Sequence, residues 1–190
     1  NRNVCLIPDS AHGTNPASAA MCGYEIIEIP SREDGLLDLD ALKSVVGDDT
    51  AAMMITNPNT LGIFEPEISK AAEIVHSAGG QMYYDGANFN AIIGKTDPGR
   101  MGFDAVHYNL HKTFSQPHGG GGPGMGPIAC KKHLEIYLPS HPVIDCGTPS
   151  GIGAISAAPW GSSSILSISW MYIKMMGAEG LKLATQNAIL

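Results

Sequence analysis

The stretch His107-Tyr108-Asn109-Leu110-His111-Lys112-Thr113, followed by Gly119-Gly-Gly-Gly122-Pro123-Gly124-Met125-Gly126, decides how this chain is read. An apolar segment, Phe103 to Leu110, gives way to a glycine loop, and a lysine sits at the junction. A lysine so placed is held by a rigid element and opens onto a space that backbone can approach closely. That is how an amine destined to form a Schiff base would be mounted. Lysine is usually exposed, so a surface residue at a strand end is the plainer reading. The neighbouring sequence has to decide between the two.

Upstream, Gln81-Met-Tyr-Tyr-Asp85-Gly86-Ala87-Asn88 reads as a short apolar strand that ends in an acid followed by two small residues. In an α/β sheet, groups converge in the crevice outside the carboxyl ends of the strands. Asp85 and Lys112 can therefore face one ligand although 27 positions separate them.

The remaining chain supplies such a sheet. Val4 to Ile7 fits a buried strand, and a turn-rich link then leads to Asn15-Pro16, which predicts an N-cap and first-turn proline for a helix over Ala17 to Cys22. Tyr24 to Ile29 is the next strand. Leu39, Leu42, Val45 and Val46 carry helical spacing ahead of Gly47. Ala51 to Ile55 is again a strand, and Ile68 to Ala78 a helix with Ile68, Ala71, Ala72 and Val75 on one side. Met82 to Tyr84 and Ala105 to Leu110 follow as strands. Strands separated by helices of this length describe an α/β fold with a mostly parallel sheet, and their near-continuous apolar character predicts burial on both faces.

Past the glycine loop, Met125 to Cys130 predicts an antiparallel return strand, because no crossover helix precedes it. Lys131 to Tyr137 reads as a short helix. Residues 141–162, rich in proline and glycine, read as a linker or rim loops. Ser162 to Ser164 then caps a helix whose apolar stripe, Ile165, Ile168, Tyr172, Met175 and Met176, predicts packing, and Ala178 to Leu190 reads as further helix. Residues 1–140 are thus expected to form part of a larger domain, with a helical segment at 163–190. Both ends read as interior to a longer polypeptide.

Composition narrows the class. The chain has 190 residues, 44% of them hydrophobic, enough for one domain with a sizeable core. Its 11 basic and 18 acidic residues give a net charge of -7, and no basic block gathers phosphate-binding charge, which argues against nucleic acid as a partner. Cys5, Cys22, Cys130 and Cys146 lack CxxC spacing, and no secretory signal is evident, so a reduced compartment, cytoplasm or a mitochondrial matrix, is expected. No apolar run approaches the ~18 residues of a membrane span.

Three chemistries compete for the lysine and its surroundings. A lysine-bound aldehyde cofactor such as pyridoxal phosphate needs an amine, which Lys112 offers, and a carboxylate to keep the ring nitrogen protonated, for which Asp85 is the best candidate. Ala87 is small enough to lie beneath a flat ring, and Thr56, Thr60, His111 and loop amides are available for the ring's phenolic oxygen and its phosphate. Zinc is the rival: His107 and His111 share a face if the segment stays a strand, with His118 or Asp104 as further ligands. Neither HExxH nor closely spaced cysteines support it. A nucleotide phosphate loop would place its lysine after the glycines, not before them. His12 reads either as a turn histidine bonded to local backbone or as a group reaching the substrate or ring.

Taken together, Ser10-Ala-His-Gly-Thr-Asn-Pro-Ala17, Asp85-Gly-Ala-Asn88, Asn109-Leu-His-Lys-Thr-Phe114, Pro117-His-Gly-Gly-Gly-Gly-Pro-Gly-Met-Gly-Pro127 and Ala158-Pro-Trp-Gly-Ser162 resemble the glycine decarboxylase P-proteins of the glycine cleavage system. The similarity spans nearly the whole chain. It implies the aspartate aminotransferase-like large domain called fold type I, incomplete here, with a three-layer, mostly parallel sheet. It implies pyridoxal phosphate joined to Lys112, Asp85 at the pyridine nitrogen, Ala87 against the ring and His111 beside it. Thr56 and Thr60 rank above Asn57 of Asn57-Pro58 as cofactor contacts, and His111 or His12 would assist proton movement.

The implied activity is that of an oxidoreductase. Glycine loses carbon dioxide through an external aldimine, and the aminomethyl group passes to the lipoyl arm of H-protein. The implied partners are glycine, lipoylated H-protein and another P-protein chain or subunit, as in a dimer, with no nucleic acid and no membrane. The upstream phosphate-binding segment and most of the small C-terminal domain are expected to lie outside this chain. Another fold-type-I lyase or aminotransferase, or a noncatalytic interaction fragment, are the alternatives.

Overall fold

The computed structural model describes residues 2–118 and 123–189. Six strands form one sheet in the order β2-β1-β3-β4-β5-β6. They are β1 (Val4–Pro8), β2 (Glu25–Ile29), β3 (Thr50–Thr56), β4 (Gln81–Gly86), β5 (Ala105–Tyr108) and β6 (Ile128–Cys130). The first five are parallel and β6 is antiparallel to β5, the return strand expected from the missing crossover. Helices α1 (Thr14–Met21), α2 (Leu39–Val45) and α3 (Ile68–Ser77) alternate with the strands.

The two faces of the sheet are covered unequally. Leu6, Met53, Ile55, Met82, Tyr84 and Val106 point to one face and pack with Leu42, Ala71, Ala72 and Val75 of α2 and α3. The opposite face carries only a small cluster, Cys5, Ile7 and Ala19, with Met54 against it. Side chains alternate along a strand, so Tyr83, Asp85 and His107 fall on this thinly covered face. Burial on both faces therefore holds for β1 and not for β4 and β5.

Local chemistry fixes the helix ends. Asp38 caps α2, its carboxylate accepting from the amides of Asp40 and Ala41, both at 2.9 Å, a contact type worth about 1 kcal/mol. Asn15 does not cap α1 as expected: the helix starts at Thr14, with no side-chain bond from Gly13 at the cap position. Instead the Thr14 amide donates to His12 Nδ1 at 3.1 Å, which leaves the Asn15 side chain for another use.

Beyond β5 lie three further helices: α4 (Leu110–Thr113), α5 (Lys132–Glu135) and α6 (Leu166–Ile189). The backbone of α6 leaves helical geometry at Gly177, φ 62° and ψ 178°, near the join expected between two helical segments. The apolar stripe predicted to pack is only partly covered: Ile165, Tyr172 and Met176 are half-buried, whereas Ile168 is 39% and Met175 82% exposed. Hydrogen bonds run through small polar residues. Ser169 donates to the Phe114 carbonyl at 2.9 Å and Thr185 to that of Asn90 at 2.7 Å, so α6 lies on loop backbone and not on an apolar sheet face. No described helix is long and apolar enough to cross a membrane.

Candidate active site

The site lies at the carboxyl ends of β3, β4 and β5, on the thinly covered face. Parallel pairing sets Thr56 beside Asp85 and Asp85 beside His107. Gly86 follows, and it has to lack a side chain because a Cβ there would overlap the carbonyl oxygen of His107. Strand β5 ends at Tyr108, and the chain turns at once into α4, which carries His111 and Lys112. The strand predicted to reach Leu110 is thus two residues shorter. In a straight strand His111 and Lys112 would point to opposite faces; the bend into α4 lifts that constraint.

Asp85 is the best-held polar group of the site. The residue is 4% exposed. Oδ1 accepts from the Ala87 amide at 2.9 Å and lies 3.1 Å from His107 Nε2. Oδ2 accepts from Asn15 Nδ2 at 3.1 Å and from the Thr56 hydroxyl at 3.0 Å. Burial alone would push this carboxyl up. Hydrogen bonds from His107, the Ala87 amide and Asn15, with the charge of His107, outweigh burial and hold it far below the ordinary carboxylate range.

Lys112 is exposed and lines the same cleft as Asp85, Ala87, Asn88, Thr56 and Thr60, a space of about 700 Å³. His12, His107, His111 and His118 line it too. His111 meets His118 edge to face, with ring centroids 4.4 Å apart. Burial, then the nearby His118 and Lys112, pull His111 below the ordinary imidazole value, which favours its neutral form. His12 accepts the Thr14 amide at Nδ1, so a neutral ring carries its hydrogen on Nε2.

Two predicted contacts are arranged differently from expectation. The Thr56 hydroxyl gives its hydrogen to Asp85, and the Thr60 hydroxyl gives its own to the Ser10 carbonyl. Each tethers part of the site wall. Asn57 is fully buried and turned inward, its Oδ1 accepting from the Glu65 amide at 2.9 Å. The glycine run 119–122, with its expected loop amides, lies outside the described residues.

Sequence reading missed Asn15 and Tyr83, and it treated His107 only as a candidate zinc ligand. The usable signal was period two: Tyr83, Asp85 and His107 are the polar members of alternating strands, and only the register aligns them. Asp104, the other zinc candidate, is engaged elsewhere, accepting from Lys131 at 2.9 Å and from the Met82 amide at 2.7 Å. Among the described residues no group of three potential ligands gathers to hold a metal.

The residues present suit a flat, anionic, aldehyde-bearing ring. They provide one ionised carboxylate, one amine with no ion pair among the described residues, neutral imidazole and a small residue at position 87. The cleft volume falls in the range of small-molecule sites.

The family profile described as aminotransferase class-V matches residues 5–139. The chain is 61% identical over its whole length to a glycine dehydrogenase (decarboxylating) of Pelagibacter ubique, of which it spans 20%. It is 54% identical to "Probable glycine dehydrogenase (decarboxylating) subunit 2" of Thermococcus gammatolerans, of which it spans 39%. Its fold is similar to that of sphingosine-1-phosphate lyase from Burkholderia pseudomallei, with a TM-score of 0.69 at 17% identity, covering 97% of this chain and 44% of that one.

Proposed function

The chain belongs to the aminotransferase class-V family, and from that premise we propose that it forms the catalytic core of a pyridoxal-phosphate enzyme that releases carbon dioxide from glycine. In this reading the remaining aminomethyl group passes to the lipoyl arm of an H-protein, and residues 1–140 belong to the cofactor-binding large domain. Residues 141–162 are a linker or rim loops, and 163–190 lead toward a small C-terminal domain. The similarity to glycine dehydrogenases supports the substrate. The observation that carries the chemistry is one cleft walled by an ionised, buried Asp85 and an exposed Lys112.

When bound, pyridoxal phosphate supplies an aldehyde that joins to amines and a pyridinium ring that accepts the electrons left by a departing carboxylate. Lys112 would hold the aldehyde. Asp85, kept anionic by its four donors, would hold the proton on the ring nitrogen. Ala87 leaves room beneath a flat ring, and its amide already fixes Asp85. His111, neutral at pH 7, is able to take up a proton at the cleft wall, and Nε2 of His12 is free of the local bond that engages Nδ1. Thr56 and Thr60 would act on the cofactor through the walls they tether.

The test is borohydride reduction of the complete enzyme with pyridoxal phosphate, followed by a mass map, together with carbon dioxide release from glycine in the presence of lipoylated H-protein. Label on Lys112 with glycine-dependent release is the expected result. Label on another lysine, or release from a different amino acid alone, overturns the reading.

A further inference from the structure

Tyr83, His107 and Asp85 form a continuous chain of hydrogen bonds along the thinly covered face of the sheet. The Tyr83 hydroxyl lies 2.9 Å from His107 Nδ1, and His107 Nε2 lies 3.1 Å from Asp85 Oδ1. The strand register enforces this, since Asp85 pairs with His107 and Tyr83 stands two residues earlier on the same face. The arrangement is not needed to close the main core, which lies on the other side of the sheet.

The ends of the chain settle how the imidazole is protonated. An ionised carboxylate only accepts, so Nε2 carries a hydrogen. Nδ1 then accepts from the Tyr83 hydroxyl when the ring is neutral and donates to it when the ring is charged. Tyr83 stays a phenol throughout, because burial, then the charge of Asp85 and Cys22, push it up to about 12. In both states the Nε2 hydrogen is directed at Asp85. The other three donors to this carboxylate, Asn15, Thr56 and the Ala87 amide, are neutral and fixed in charge. His107 alone among the four is able to carry positive charge.

We propose that His107, oriented by Tyr83, is a positioning residue that fixes Asp85 as the anionic partner of a protonated ring nitrogen. This rests on the reading of the cleft as a pyridoxal-phosphate site. A carboxylate has about four lone-pair directions, and protein donors already occupy four here, so an arriving N–H has to share one. A donor whose N–H is fixed on the carboxylate by a second hydrogen bond, from Nδ1 to Tyr83, keeps Asp85 oriented and anionic while that direction is shared. His107 touches Asp85 and acts through it.

The experiment compares two ligands on the complete enzyme by equilibrium binding. One is pyridoxal phosphate, and the other is its carbocyclic analogue with C–H in place of the ring nitrogen. His107→Leu should bind pyridoxal phosphate about tenfold more weakly, the size expected for losing a hydrogen bond to a charged group, and bind the analogue within about twofold of the parent. His107→Gln keeps an N–H donor and should recover most of the loss. Should His107→Leu fail to fold, Tyr83→Phe carries the test, with a loss of roughly threefold for pyridoxal phosphate only. Equal loss for both ligands, or no loss for either, overturns the proposal. Borohydride labelling of Lys112 in the parent separates the two levels: a labelled parent with insensitive variants sinks the positioning role alone, whereas a parent that neither binds nor labels sinks the cofactor reading with it.

Discussion

Gly86 and His107 touch backbone to side-chain position: a Cβ on Gly86 would overlap the His107 carbonyl oxygen. Strands β4 and β5 can run close enough to align Asp85 with His107 only because residue 86 is glycine. Its φ is not in the left-handed region, so the requirement is for space and not for backbone freedom.

Gly86→Ala should therefore force the two strands apart at the site. The obstacle is backbone, which cannot swing away as a side chain does, so the cost should be about 3 kcal/mol or more. Gly124→Ala is the control, since a Cβ there meets nothing within 4 Å. Denaturant midpoints measure both. A Gly86 variant as stable as the Gly124 one would show that the sheet opens at no cost.

Lys112→Ala should separate chemistry from folding. The side chain is exposed and makes no ion pair among the described residues, so stability should change by no more than about 0.5 kcal/mol. The covalent link to the cofactor should vanish, and with it the visible absorption band of the bound aldehyde. An unchanged band in the variant would place the link on another amine.

Much of this architecture is legible in the sequence, and the exceptions have physical causes. The helical spacing in α3 and the apolar runs of β1 and β3 marked their elements because tertiary packing uses the same periodicity. The antiparallel β6 followed from loop length. What sequence could not show was register, which aligns His107 with Asp85 and turns a candidate metal ligand into a carboxylate partner. Asn15 misled for a related reason: a residue type suited to capping was drawn into a contact with Asp85, 70 positions away. The stripe on α6 foretold only part of the packing, because Ser169 and Thr185, unremarkable in sequence, make that helix's hydrogen bonds to loop backbone.

Asp104 supports a prediction about stability away from the cleft. Its buried carboxylate ties β4, β5, β6 and α3 together by accepting from the Met82 amide, Lys131 and His76, the last at 2.6 Å. Asp104→Ala should cost about 1–3 kcal/mol, as expected when a buried amide, here that of Met82, loses its acceptor, while the partly exposed His76 and Lys131 are rehydrated. Cofactor binding per folded molecule should be unaffected. Thermal denaturation and cofactor titration measured on the same sample would check this, and a variant that keeps its stability would count against the clamp.

Asp85→Asn should show a different balance. In the native protein burial raises this carboxyl, but the bonds from His107, the Ala87 amide and Asn15 override it and leave the folded value well below the unfolded one. A depressed carboxyl contributes stability that is present above its unfolded value of about 4 and is lost as pH falls toward the folded one. The parent should thus lose stability between about pH 5 and the acid limit, and the Asn variant should lack that part of the slope. At neutral pH the effect on chemistry should be larger than the effect on folding. Without an anion beside the ring nitrogen, carbon dioxide release at saturating glycine should fall by about a hundredfold, the usual size for loss of one preorganised electrostatic contact. Stability profiles from pH 3 to 8 and release assays on the complete enzyme measure the two parts separately. Equal release by variant and parent would mean that Asp85 serves the fold and not the ring.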